Sequence, residues 1–206
     1  AAFLLEDKQR IYIDPYKLSR NFGSADVIFI THSHYDHLSI DDIKKVAGPE
    51  TIIVAPAEAK SKLAGFKTEL VEPLKKYSIG GINFETVPAY NVKKERLNFH
   101  PKANNWVGYI INVNDKRIYH AGDTDKIEEM KGVRCDLALL PIGGTYTMDL
   151  NEAVEATKLI NANYFAPMHY KILLGREGSA EAEKRFSSLV KNSIIFKEIQ
   201  EPSYSF

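Results

Sequence analysis

Residues 31–39 read "THSHYDHLS", and they gather His32, His34, Asp36 and His37 into one short stretch. The whole chain has six histidines, so half of them sit on this loop. Neutral imidazole and carboxylate are good ligands for borderline divalent metals. In an extended segment His32 and His34, two apart, project to the same side. Asp36 and His37 follow after the chain turns and can face a second ion. Upstream, "DVIFIT" (26–31) predicts a buried strand that runs straight into the loop. Downstream, Ser39 with Asp42 three residues on predicts a helix start for "SIDDIKKVAG" (39–48).

The same alternation continues in both directions. "RIYID" (10–14) reads as a strand that stops at Asp14–Pro15, and "TIIVA" (51–55) as the next one. "PAEAKSKLAG" (56–65) predicts a helix with Pro56 in its first turn and Gly65 at its end. "TELVEP", "KKYSIGG" and "INFETVPAY" predict strands with a turn at Gly80–Gly81, and "WVGYIINV" with "KRIYHAG" a hairpin around Asn114 and Asp115. "CDLALLPIGG" reads as a buried strand that Cys135 begins. Asp149 and Glu152 predict a helix start for "LNEAVEATKLINA". "YFAPMHY" predicts a strand, "SAEAEKRFSSLVKN" (179–192) a helix and "SIIFKEI" (193–199) a last strand. The pattern predicts two sheets packed face to face with helices outside. With neither a composition shift nor a Gly/Ser linker, residues 1–206 read as one domain. The segment 91–105, "NVKKERLNFHPKANN", lacks periodicity, and a loop of that length is usually functional or disordered.

Composition narrows the partners. Lys+Arg and Asp+Glu are equal at 27 each, which argues against a nucleic-acid or acidic-membrane footprint. The lone Cys135 rules out an intramolecular disulfide and suits a reducing cytosol. The longest apolar runs are far short of the roughly 20 residues that cross a bilayer. The opening "AAFLLEDKQR" lacks a basic region leading into a long apolar stretch, so a cytoplasmic protein is expected.

A metal site needs more ligands than one loop gives. "HAGDT" (120–124) puts Asp123 in a turn just past a strand, where a carboxylate could bridge two ions, and "PMHY" (167–170) puts His169 at a strand end. "THSHYDHLS", "GDT" and "PMHY", in this order and after strands, resemble the metallo-β-lactamase superfamily of metal-dependent hydrolases. The resemblance runs from "IDPY" to His169. It implies an α+β fold, a four-layer αββα sandwich of two mixed β-sheets with a two-metal site at one edge. By that match His32 and His34 hold a first ion, Asp36, His37 and His169 a second, and Asp123 bridges. Within the superfamily "IDPY", "YHAGDT" and "PMHY" are most similar to the cytosolic branch of sugar-phosphate lactonases and phosphodiesterase-like hydrolases.

One departure stands out. The family usually supplies a further histidine to the first metal after a mid-chain strand, and here "VPAYN" places Asn91 there. An amide oxygen is a weaker ligand than imidazole. His100, in the 91–105 loop, is the candidate substitute ligand or proton donor. His120 is expected to pack behind the site, and Tyr170 and Lys171 are candidates to touch a substrate anion.

Two divalent ions against two carboxylates leave a positive site. That suits metal-activated hydroxide attacking an ester, lactone or phosphodiester in a small, anionic or ester-containing substrate, with Asp36 or Asp123 holding the nucleophile. Zinc is the expected metal from the nitrogen-rich ligand set, with manganese the rival and iron admitted. The competing reading is a non-catalytic, metal-containing ligand-binding or sensor domain whose first site Asn91 has degraded. A nuclease of the same superfamily fits the neutral charge poorly. Substrate identity and oligomeric state have no signature here.

Overall fold

The computed structural model describes residues 2–197. One sheet runs in chain order through β1 (Phe3–Glu6), β2 (Arg10–Ile13), β3 (Ala25–Phe29), β4 (Ala47–Pro56) and β5 (Thr68–Val71). β1 pairs antiparallel to β2, and the remaining pairs are parallel. The second sheet holds β6 (Lys76–Ile79), β7 (Ile82–Pro88), β8 (Val107–Val113), β9 (Lys116–His120), β10 (Arg134–Pro141) and β11 (Asn161–Met168). β6 to β9 form an antiparallel meander, and β10 and β11 add in parallel. Both sheets are therefore mixed, as expected.

Strand alternation builds the layers. Ile11, Ile13, Val27 and Phe29 from the first sheet meet Phe84, Val107, Tyr109 and Ile111 from the second in a shared core. Phe29 packs edge-on against both Phe84 and Tyr109, with ring centres 4.8 and 4.9 Å away. The intervening residues Tyr12, Ile28 and Ile30 point the other way, toward Ile43 and Val46 of α1 (Ile40–Val46). On the far side Tyr119, Ala138 and Leu140 face Ala153 of α2 (Leu150–Thr157) and Phe186 of α3 (Lys171–Leu189). That is the expected order of helix, sheet, sheet, helix.

Local signals acted as read. The Asp149 side chain accepts from the Glu152 amide, and Glu152 reaches back to the Asp149 amide, a complete capping box. Ser39 caps α1, while the Asp42 carboxylate accepts from the Lys17 and Leu18 amides instead. Asn114 and Asp115 take φ of 49° and 60°, the left-handed pair that a tight hairpin needs.

Three expectations need correction. Residues 57–63 form a 3-10 helix rather than an α-helix, and of its side chains Ala59 and Leu63 are buried, too small an apolar stripe to anchor a longer helix. The last helix starts at Lys171, not near 179, and is broken where Gly175 adopts φ 66°. Of the predicted strand 193–199, Ser193 makes a single bridge to Phe165 and residues 194–197 form no strand; 198–199 lie outside the described residues. The opening stretch, for which no element was expected, contributes β1.

The loop 91–105 is a series of turns followed by a short 3-10 helix (Lys102–Asn104), and it is pinned from inside. Arg96, only 4% exposed, donates to the Thr147 and Gly144 carbonyls, to both Glu152 oxygens at 2.9 Å, and pairs with Asp125 at 3.0 Å. Asp125 also accepts from the Val92 and Lys93 amides at 2.8 and 2.9 Å.

At Gly108, the second residue of β8, a β-carbon would lie 2.6 Å from the His120 and Ala121 carbonyl oxygens. These are backbone atoms and cannot swing away. Gly108→Ala is expected to cost about 1–3 kcal/mol, the usual penalty of overpacking, read as a lower urea midpoint at unchanged m-value. An unaltered midpoint would show that β8 and β9 can separate freely.

Candidate metal centre

Strands β2, β3, β7, β9 and β11 all end at the same edge of the sandwich, and each end delivers a polar residue. β3 runs through Ile30 and Thr31 into His32. There the His34 carbonyl accepts from the His37 and Leu38 amides at 3.0 and 2.8 Å, closing the turn that aims Asp36 and His37 inward. β9 leads through Gly122 to Asp123. Gly122 has φ 68°, and a β-carbon there would press the Val107 carbonyl at 3.0 Å, so the turn before Asp123 requires glycine. β11 leads directly into His169, which holds the strained left-handed φ of 54°. β7 ends short of Asn91, from which the pinned loop returns His100.

Every metal-ligand candidate from the sequence converges here. Among the described residues, potential ligand atoms of His32, His34 and His100 lie within 4.8 Å of one another, as do those of His32, His37 and Asp123, and those of Asp36, His37 and His169. His32 Nε2 faces His34 Nδ1 at 3.1 Å, and His37 Nε2 faces His169 Nε2 at 3.0 Å. Asp123 lies among three rings, 3.5 Å from His37, 3.4 Å from His100 and 3.2 Å from His169. Asp36 approaches His169 at 3.5 Å and His37 at 3.7 Å. His32, His37, His100 and Asp123 are buried, while Asp36 and His169 retain access to solvent.

Residues behind the cluster fix the ring orientations. Asp14 accepts from the Thr31 amide at 2.8 Å, the Thr31 hydroxyl at 2.7 Å and His37 Nδ1 at 2.7 Å. The Thr31 oxygen, its proton given to Asp14, accepts from His32 Nδ1 at 2.9 Å. Asn91 does the same for His100. Its amide nitrogen donates to Asp125 and to the Tyr146 carbonyl, which leaves Oδ1 to accept from the His100 amide and from His100 Nδ1 at 2.9 Å. In all three rings Nδ1 carries the proton and Nε2 is left as a lone-pair donor. Asn91 thus has both ends of its amide committed, and it holds the histidine that the loop supplies.

Trp106 closes one side. Its ring lies 4.9, 4.8 and 5.7 Å from those of His32, His34 and His100. Its Nε1–H donates to Glu58, which also accepts from Ser33. The sequence reading missed Asp14, Thr31, Glu58, Arg96, Trp106 and Asp125. Only Asp14 had a usable signal, a carboxylate ending an apolar strand. His120 is buried, packs edge-on against Phe3 and accepts from the Gly122 amide, as a supporting residue should. The Tyr170 side chain, a candidate for substrate contact, is buried and donates to Glu183 at 2.6 Å, and Lys171 opens α3.

The electrostatics divide the cluster. Burial lowers the His32 pKa well below its ordinary value, helped by the charge of His37, and it lowers that of His34 as well. Burial also opposes charge on His169, but Asp123 and Asp36 outweigh it and lift the pKa to about 9. His37 rises for the same reason, with Asp123 and Asp14 as its partners. Against their own burial, Asp123 is held well below the carboxylate range by His37 and His169, and Asp36 is held at about 2 by His169 and His37. One half therefore offers bare imidazoles, and the other concentrates carboxylate charge that calls for a cation.

A divalent ion fits these residues. His100 Nε2 and Asp123 Oδ1 are buried without a hydrogen-bond partner, and facing lone pairs of ring nitrogens need a cation or a proton between them.

Comparison with known proteins gives the same direction. Residues 1–169 match the Beta-lactamase superfamily domain. The chain is 30% identical to a protein of Thermoplasma volcanium named a metal-dependent hydrolase, over 98% of this chain and 94% of that one. It is also similar to a crystal structure from Parabacteroides distasonis described as a metal-dependent hydrolase, with 32% identity, TM-score 0.81, and coverage of 94% and 88% of the two chains. A metallo hydrolase of the archaeon Ignicoccus hospitalis gives 25% identity and TM-score 0.77 over 100% of this chain and 95% of that one.

Trp106 is the only tryptophan in the chain. Its emission is expected to change as zinc is titrated into chelator-stripped protein, saturating with the ion held by His32, His34 and His100. Full metal uptake with constant emission would show that this trio is not where that ion binds.

Proposed function

The chain belongs to the metallo-β-lactamase superfamily, and from that premise we propose that it is a binuclear metal-dependent hydrolase. The observation that carries this reading is the convergence of seven candidate ligand side chains, four from the loop after β3 together with His100, Asp123 and His169, onto one edge. His32, His34 and His100 would hold a first ion. Asp36, His37 and His169 would hold a second, with Asp123 between the two. Zinc suits the nitrogen-rich first set, and manganese or iron the carboxylate-bearing second.

When bound, divalent ions supply Lewis acidity, polarising an ester or phosphoryl oxygen and acidifying water. The chain's residues do the rest. Asp14, Thr31 and Asn91 keep the His37, His32 and His100 rings from rotating, which preserves the site between turnovers. Trp106 excludes water from the histidine-rich side. Asp36, whose side chain is 27% exposed, is the carboxylate placed to accept a hydrogen bond from the attacking water and hold it in line. His100, with Nδ1 bound to Asn91 and Nε2 facing Asp123, acts as a ligand rather than a proton donor. The substrate is a small molecule with an ester, lactone or phosphodiester bond. The non-catalytic sensor reading rested on a first site weakened by Asn91, and His100 removes its motive.

Elemental analysis tests the proposal: about two ions per chain are expected, the number this chemistry uses. The His32→Ala/His34→Ala variant should lose the first ion, and an undiminished metal content would sink the assignment. Asn91→Leu, which strips His100 Nδ1 of its acceptor, should weaken the first ion by about 10–100-fold in a chelator competition. Metal-dependent turnover of a lactone or a bis-aryl phosphodiester then decides the bond; none with either, in fully loaded protein, overturns the hydrolase reading.

A further inference from the structure

Exposed apolar side chains are concentrated at this edge. Of the eleven exposed large hydrophobic residues among those described, seven lie on the histidine loop, on the loops 91–105 and 143–149, or at the start of α3 just after His169. Four of them, Val92, Leu97, Phe99 and Tyr146, belong to the two loops tied together by Arg96. Scattered single hydrophobics on a surface are ordinary, but a cluster is not.

Phe99 and Tyr146 form the centre of this cluster. Their rings meet edge to face at 4.8 Å, yet they remain 38% and 39% exposed. Phe99 immediately precedes His100. The Tyr146 carbonyl accepts from Asn91, whose other end holds His100. The pair therefore flanks the bracket that positions one ligand of the site. It is also held rigidly. Arg96 is buried and spends its guanidinium on both loops, so these rings stand in water because the scaffold keeps them there. Of the charged side chains on the first loop, Arg96 turns inward and Lys93 pairs with Glu152, while Lys94 and Glu95 stand exposed with opposite charges. What these two loops present beside the site is a preorganised aromatic surface.

We propose that the substrate carries an apolar alkyl or aryl group that lies on the Phe99–Tyr146 pair while its ester or lactone carbonyl faces the metal centre. This rests on the hydrolase reading for the bond that is cut, but not for the binding of the apolar group. Phe99 and Tyr146 are then the specificity-determining residues, and preference should rise with the length of the apolar chain, by up to roughly fourfold for each methylene buried.

The test is a binding series with simple carboxylates as product mimics, measured by NMR titration of the metal-loaded protein: acetate, butyrate, hexanoate and phenylacetate. Hexanoate and phenylacetate are expected to bind at least about tenfold more tightly than acetate. In Phe99→Ala/Tyr146→Ala that gap should fall to within about threefold. The milder Phe99→Leu and Tyr146→Leu, at half-exposed positions, guard against misfolding and should give intermediate gaps. Equal affinity across the series, or a gap that survives the double variant, overturns the proposal. So does a dimer that dissociates in the double variant with no preference among the acids, since the pair would then be a subunit contact. A clear preference in protein that hydrolyses neither lactone nor phosphodiester would keep this subsite and overturn the hydrolase reading. Turnover without preference would do the reverse.

Discussion

The Asp14 carboxylate, fully buried at the end of β2, is the interaction on which the edge of the sandwich depends. A charge so placed costs several kcal/mol unless it is matched by donors. Here three donors match it: the Thr31 amide, the Thr31 hydroxyl and His37 Nδ1. Burial works against ionisation, but His37 and His120 prevail and keep the acid charged. The same contacts fasten β2 to the end of β3 and set the proton positions of His37 directly and of His32 through Thr31. Asp14 itself sits at φ 46°, a strained backbone that persists because everything around it demands that position. Mechanical closure of the fold and chemical readiness of the ligands are thus one network.

Arg96 serves the opposite side in a comparable way. A buried guanidinium is weak evidence for net stability, because its desolvation offsets the attraction it gains. Its value lies in geometry. By binding Asp125, Glu152 and two carbonyls it makes a 15-residue irregular segment as well placed as a strand, and that placement delivers His100 to His32 and His34. An isolated loop could not hold a ring nitrogen to a few tenths of an ångström. One tied at its centre and at Asn91 can.

Much of this was legible in the chain. Alternating apolar runs gave the strands, hairpin residues gave the Gly80–Gly81 and Asn114–Asp115 turns, and Asp149 with Glu152 gave the start of α2. The candidate ligands were legible because their spacing is local or because they follow strands: His32 to His37 on one loop, Asp123 in a turn, His169 at a strand end. Arg96, Trp106 and Glu58 were not, since their partners include residues about 50 positions away that only the packed sheets bring near. The role of Asn91 fell between these cases. Its position was noticed, but its meaning depends on where the pinned loop returns His100, nine residues on. The 3-10 helix at 57–63 and the single bridge at Ser193 show the other limit: tertiary packing decides how far a short amphipathic run is extended.

The separation between His37 and His169 is 132 residues, although their ring nitrogens are 3.0 Å apart. On the ribosome, where synthesis proceeds from the N-terminus, the first sheet and its histidine loop emerge long before β11 can dock. Until then the nascent chain holds His32, His34, Asp36 and His37 without the partners that later face them. Bringing these two rings together is therefore a late event in folding, coupled to the seating of β11, and a chain stopped before residue 169 would lack one of the pair.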